Sequence, residues 1–278
     1  MSARLLLAPV LLALLALPAL GQSADEVFCA NRNNRVPADQ VMAACNRIAA
    51  DTRQRDSSRA KAFAWRAIAH NRANNRIAAM ADANQALALD DDNFDARYSR
   101  ARLHYNAKDY AAALEDLDRA VALEPDFGSP RLLRSNVYLR LKRYAEAIAE
   151  ADNIRLAGGV AILCQRCWTR AVAGVELDKA RLTCNQALWA QPDMPGPLNT
   201  RGLLSLKQKR FELAWRDFNA AALAAPRNAR ALYGRGLAAL ALQREAEGKA
   251  DMAAAASISA DIAADYEADG VTPQNVTQ

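Results

Sequence analysis

The sequence predicts an all-α chain of about six stacked helix–turn–helix repeats. Three observations carry this. The stretch Phe94 to Phe127 reads as two amphipathic helices around a polar turn, with Tyr110 opening the second helix and Pro125 ending it. The pattern recurs about every 34 residues, the mark of units that bury their apolar faces on one another. The 278 residues are 52% hydrophobic but only 6% aromatic. Ala dominates the apolar residues, and Ala is the best helix former and lets helices approach closely.

At the N-terminus, Arg4 precedes an apolar run from Leu5 to Leu17, and Pro18, Ala19 and Gly21 follow. This is the layout of an export signal over residues 1–21, too short for a comfortable membrane span. The expected destination is the periplasm or the medium, with no transmembrane span after cleavage; an uncleaved anchor is the alternative. Residues 22–59 read as an N-terminal loop and a half-repeat helix. Pro37 lies in the loop, and Asp39 is the expected N-cap of a helix to Asp51. The repeats over 60–260 are placed at Ala60–Asn93, Phe94–Phe127, Gly128–Val160, Ala161–Met194, Pro195–Asn228 and Ala229–Ala260. Small residues recur where helices should touch: Ala79, Ala113, Ala147, Ala180, Ala214 and Gly248 occupy one repeat position. Residues 261–270 read as a polar capping helix and 271–278 as a disordered tail.

Repeat position 7 is Arg66, Arg100, Arg134, Arg201 and Arg235, and position 23 is Asp82, Asp116, Glu150, Asp217 and Asp251. The repeat that lacks the Arg has Cys167 there and also lacks the carboxylate, with Thr183 at position 23. The two positions change together, so they are read as neighbours forming a ladder of ion pairs. The same adjacency places Cys167 beside Cys184 and favours that disulfide, with Cys164–Cys184 as the alternative. Cys29 and Cys45 would tie the N-terminal loop to the first helix, as an oxidising compartment permits.

Cys164 and Cys167 form a CxxC, but without the strand and βαβ context of a redox fold. A zinc site needs four ligands, and no His lies near these cysteines. The histidines, His70 and His104, fall at equivalent repeat positions and read as packing residues. No phosphate-cradling Gly loop or nucleophile–base spacing is present. Trp65, Trp168, Trp189 and Trp215 sit on helical periods and read as core. No enzyme activity, metal or cofactor is expected. The net charge of +5 is a mild excess, and the ladder consumes part of it, so no nucleic-acid partner is expected.

The segments CWTRAVAGVELDKARLTCNQAL at Cys167–Leu188, TRGLLSLKQKRFELAWRDFNAAL at Thr200–Leu223 and LYGRGLAAL at Leu232–Leu240 carry a resemblance. With ACNRI at Ala44–Ile48 and ADIAADYEADGV at Ala260–Val271, they are similar to bacterial exported tetratricopeptide (TPR) repeat proteins, of the alphaproteobacterial kind. The resemblance implies a right-handed α-solenoid that binds a peptide or helix on its concave face. The implied groove residues are Asp95, Tyr98, Arg102, Tyr105, Asn106, Leu132, Asn136, Leu139, Arg140, Gln165, Thr169, Asn199, Leu203 and Lys207. The Lys/Asn clamp of cytosolic chaperone-binding TPR proteins is not matched, because Tyr98 and Arg102 stand at its first positions. The expected function is a non-enzymatic protein-interaction scaffold of the cell envelope. The alternatives are a self-assembling homo-oligomeric module, a CxxC redox protein, or a polyanion or membrane-surface binder.

Overall fold

The computed structural model describes residues 23–31, 35–154 and 159–277, so the expected export signal lies outside the described residues. Among the described residues there are sixteen helices and no strand. The chain divides into two compact units, one through Ser99 and one from Arg100.

The first unit contains α1 (Ala24–Ala30), α2 (Ala38–Ala50), α3 (Asp56–Arg72), α4 (Arg76–Leu89) and the start of α5 (Phe94–Asn106). Helix α1 lies where the sequence suggests a loop. Ser23 and Glu26 close a reciprocal capping box there, which satisfies backbone donors at the helix start. Helix α1 packs on α2, so the expected half-repeat is a helix pair. Pro37, not Asp39, caps α2, and Asp39 sits in its first turn, where a negative charge suits the helix dipole.

The second unit continues with α6 (Tyr110–Leu123), α7 (Gly128–Arg140), α8 (Tyr144–Asp152), α9 (Gly159–Ala173) and α10 (Leu177–Ala190). It then forms α11 (Pro195–Lys207), α12 (Phe211–Ala224), α13 (Ala229–Ala241) and α14 (Glu245–Ile258), and ends in α15 (Ile262–Ala268) and α16 (Pro273–Thr277). The segment read as a disordered tail therefore contains α16. Val271 and Val276 are buried there, and Thr272 and Asn275 hydrogen-bond each other across the first turn. Gly159 opens α9.

Helices in a repeat meet through small residues. Ala113, Ala147, Ala180 and Ala214 are fully buried. Between α13 and α14 the approach is closer still: a Cβ on Gly236 would stand 2.8 Å from the Gly248 carbonyl oxygen. The first helices α7, α9, α11 and α13 also pack side by side and make one continuous face.

The expected ladder is present. Arg66 forks onto Asp82 at 2.7 and 2.5 Å, and Arg100 onto Asp116 at 2.7 and 2.8 Å. Arg134 reaches Glu150 at 2.7 Å, while Arg201 and Arg235 grip Asp217 and Asp251 through two bonds each. A second partner was not read from the sequence. Arg134, Arg201 and Arg235 each reach back into the preceding repeat, to Asp118, Asn185 and Asn219, all at 2.8 Å. Each of these Arg side chains thus spans sixteen residues forward and sixteen back, and ties its own helix pair to the one before. The hydrogen bonds of Asp251 raise the Arg235 pKa above its ordinary value against the opposing effect of burial.

The fourth rung is covalent. Cys167 and Cys184 are at disulfide distance, with Cα atoms 5.4 Å apart, and Cys29 and Cys45 are likewise paired at 4.9 Å. Cys164 is free. From this repeat Arg170 reaches back to Asp152 of the preceding one; its side chain is 1% exposed and also meets Glu176 at 2.6 Å.

Arg235→Met strands the buried Asp251 carboxylate and should lower the unfolding free energy by about 2–4 kcal/mol. Arg235→Met with Asp251→Leu should recover most of the loss, because an apolar pair of similar volume leaves no buried charge. A double-mutant cycle in urea reads the coupling directly.

Candidate functional site

The groove residues expected from the sequence fall into three groups. Asp95 and Tyr98 belong to the first unit: Asp95 accepts a 3.1 Å hydrogen bond from the Trp65 indole, and the Tyr98 ring stacks on Phe94. Arg102, Tyr105, Asn106, Leu132, Asn136 and Arg140 keep exposed or half-exposed side chains in the second unit. Leu139, Gln165, Thr169, Asn199 and Leu203 are buried and are not surface groups. Gln165 spends its amide on Asn136, Ser135 and Thr169. Lys207 turns back onto the last carbonyls of α9, Ala171 and Val172, at 2.7 and 2.9 Å.

For Leu139 and Leu203 the cover includes the C-terminal segment. The C-terminal segment folds back onto the first-helix face, and α15 and α16 both pack on α13. Leu139 and Leu203 share one apolar cluster with Tyr266, Val271 and Val276. Tyr266 is fully buried against Phe218 and Tyr233, and its hydroxyl donates to the Arg230 carbonyl at 2.8 Å. Burial pushes its phenol pKa far above the ordinary value. Gly234 makes the room, since a Cβ there would fall 2.3 Å from the Tyr266 oxygen and 2.4 Å from the Phe218 ring.

One turn later Asp269 is wholly buried. It accepts a 2.6 Å hydrogen bond from Arg230 and stands 3.6 Å from Arg140. The Arg230 guanidinium also lies over the faces of Trp168 and Tyr266. Burial opposes the charge of Arg140, but Tyr105 and the carboxylates of Asp269 and Asp265 outweigh it and hold its pKa high. Beside this cluster lies a cavity of about 300 Å³ lined by Cys164, Gln165, Trp168, Asn199 and Arg230. The Asn199 side-chain oxygen is buried there with no hydrogen-bond partner. A smaller space on the other side of Trp168 is bordered by Tyr105, Asn136, Arg140 and Asp269.

The arrangement brings aromatic faces and two guanidinium groups together beside these spaces. It does not present a reactive thiol. Burial raises the Cys164 pKa, the opposite of what a redox nucleophile needs, and Cys167 is committed to Cys184. Nor is the Arg ladder a polyanion surface, because its charges are spent on carboxylates. Tyr266, Asp269, Trp168 and Arg230 were missing from the expected site. The signal for them was weak: an aromatic and two valines in a polar C-terminal stretch, and a Gly234 that costs helix stability.

Residues 104–160 match the tetratricopeptide repeat family. A tetratricopeptide repeat protein from Parabacteroides merdae superposes with a TM-score of 0.70 at 15% identity, covering 90% of this chain and 100% of that one. This is a TPR solenoid fold. The type IV pilus biogenesis factor PilW aligns with a TM-score of 0.57 at 20% identity, over 75% of this chain and 94% of its own. TTC0263, a TPR protein of Thermus thermophilus, aligns at 0.54 and 22% identity, over 65% of this chain and 99% of its own. No curated protein matches the sequence. At these identities the likeness speaks for the TPR fold, which is a protein-interaction architecture.

Within the TPR face, burial lowers the Lys207 pKa from 10.5 to about 8, and the nearby Asp269 only partly opposes this. Below pH 8 the folded and unfolded chains both hold the proton, and the buried charge costs stability. From pH 8 to 10.5 the folded chain releases it first, so stability rises with pH. Lys207→Met should remove this rise. Urea unfolding should show the wild type gaining roughly 2–3 kcal/mol on the variant across that interval.

Proposed function

We propose that this TPR chain is a non-enzymatic scaffold of the bacterial cell envelope that binds a peptide or helix of another protein on its first-helix face. The observation that carries the reading is the face itself in the second unit. Trp168, Tyr105, Arg140 and Arg230 line spaces next to a helix already seated there, so the surface is shaped and charged for a helical segment. Helix-in-groove recognition works in this way, with side chains on one helical face filling successive pockets.

The envelope part of the proposal rests on the apolar run at the N-terminus and on two cysteine pairs at disulfide distance, which fit an oxidising compartment. No described helix is long and apolar enough to cross a membrane. PilW, a pilus biogenesis factor, shares the fold and is consistent with an assembly role of this general kind.

Crosslinking in cells, with the tagged protein expressed from its own N-terminal sequence, tests both parts. Wild type should capture a partner in the envelope fraction, and Tyr105→Ala/Trp168→Ala should lose it while keeping its helical circular dichroism. A partner retained by the folded double variant, or crosslinks to other copies of the chain alone, would refute binding on this face. Recovery of the protein in the cytoplasmic fraction would refute the envelope assignment.

A further inference from the structure

The C-terminal segment has the chemistry of a bound ligand. Its two anchors are Tyr266 on α15 and, three residues on, Asp269 at the helix C-cap, so both fall on the same side of the segment. Their receptors come from the repeats: Phe218 from α12, Tyr233, Gly234 and Arg230 from α13, and Arg140 from α7. Without the segment, Arg140 and Arg230 would lose the carboxylate between them. We propose that residues 261–277 are a displaceable internal occupant of this face. The partner that replaces them is a short helical segment of another protein, with an aromatic side chain followed three residues later by a carboxylate. This rests on the reading that the face binds a protein segment, and names what that segment carries.

Three features make the occupant displaceable. Helices α15 and α16 have 7 and 5 residues, too short to hold together off the face. They are joined through Gly270, whose φ of +83° breaks the helix between them. Release therefore unfolds a small segment and leaves the repeats in place, the kind of local opening that needs far less than global unfolding. At its near end the segment is held by Lys108–Asp261, an exposed pair of little worth, and by Ile262, which is buried in the apolar cluster. The fit is also incomplete. One Asp269 oxygen is buried with no hydrogen bond, because Arg140 stops 3.6 Å away. A ligand carboxylate reaching both guanidinium groups would fill that deficit. The open cavity by Cys164 and Trp168 gives an incoming helix a place to dock before the internal segment leaves.

The test uses the full chain and a fluorescent peptide of residues 259–277. In wild type the internal copy competes, so apparent affinity falls by the fraction of molecules with the face open. The full-length Tyr266→Ala/Asp269→Ala variant should bind the peptide at least about tenfold more tightly than wild type. Peptides carrying the same two changes should not bind, and adding Arg230→Ala to the variant should abolish binding of the native peptide. Amide exchange on wild type gives a check independent of any variant: α15 and α16 should exchange faster than α13. Absence of peptide binding by a double variant with intact helical dichroism, equal binding by both chains, or exchange in α15 as slow as in α13 would overturn the proposal. Such a failure stays distinct from failure of the functional reading, because Tyr105→Ala/Trp168→Ala would then still lose its captured partner.

Discussion

Everything in the second unit depends on arginines that are shared between neighbouring repeats. A single helix pair has too little apolar surface to be stable, and an Ala-rich one has less than most. Packing through alanines brings helices close but gives little shape to fix one stacking angle. Arg134, Arg201 and Arg235 supply that geometry. Each planar guanidinium holds a carboxylate in its own repeat and a polar side chain in the one before. Planar forks have narrow angular tolerance, so each pair orients both helices as well as joining them. Half-burial keeps water from competing for the bonds, and the partial exposure keeps the cost of desolvation moderate.

The fourth repeat shows the same constraint met by other means. Cys167 and Cys184 join the two helices where an Arg and a carboxylate would stand, and Arg170 takes over Asp152 from the preceding repeat. A disulfide acts mainly by limiting the unfolded chain, whereas an ion pair acts in the folded state. Next to this repeat lies the cavity that contains Cys164 and Trp168.

The stacked first helices create a surface with two cations and several aromatic rings, and water solvates the rings poorly. The chain covers part of it with its own terminus. Tyr266 fills the space Gly234 leaves, Asp269 neutralises Arg230, and Val271 and Val276 extend the apolar seal. Capping of the solenoid and burial of its first-helix face are therefore carried out by the same residues.

The repeat architecture was legible in the sequence because it is written many times over. Arg and acid recur and vanish together, so their adjacency follows from one chain without coordinates, and Cys167–Cys184 follows from the same adjacency. The reach of Arg134, Arg201 and Arg235 into the preceding repeat was harder to see, because Asn185 and Asn219 look like ordinary surface residues. Position within a repeat also named the first-helix face, but not which of its side chains are exposed. Leu139, Thr169 and Leu203 occupy groove positions and are nonetheless buried. The C-terminal segment has no repeat to copy, and one Tyr and two Val among alanines and aspartates give no periodicity. Where it folds depends on long-range contacts, Tyr266 with Arg230 and Asp269 with Arg140, which exist only once the repeats have stacked. Local pattern thus determined the helices and their pairing, while which side chains of the first-helix face are covered was decided by the assembled tertiary structure.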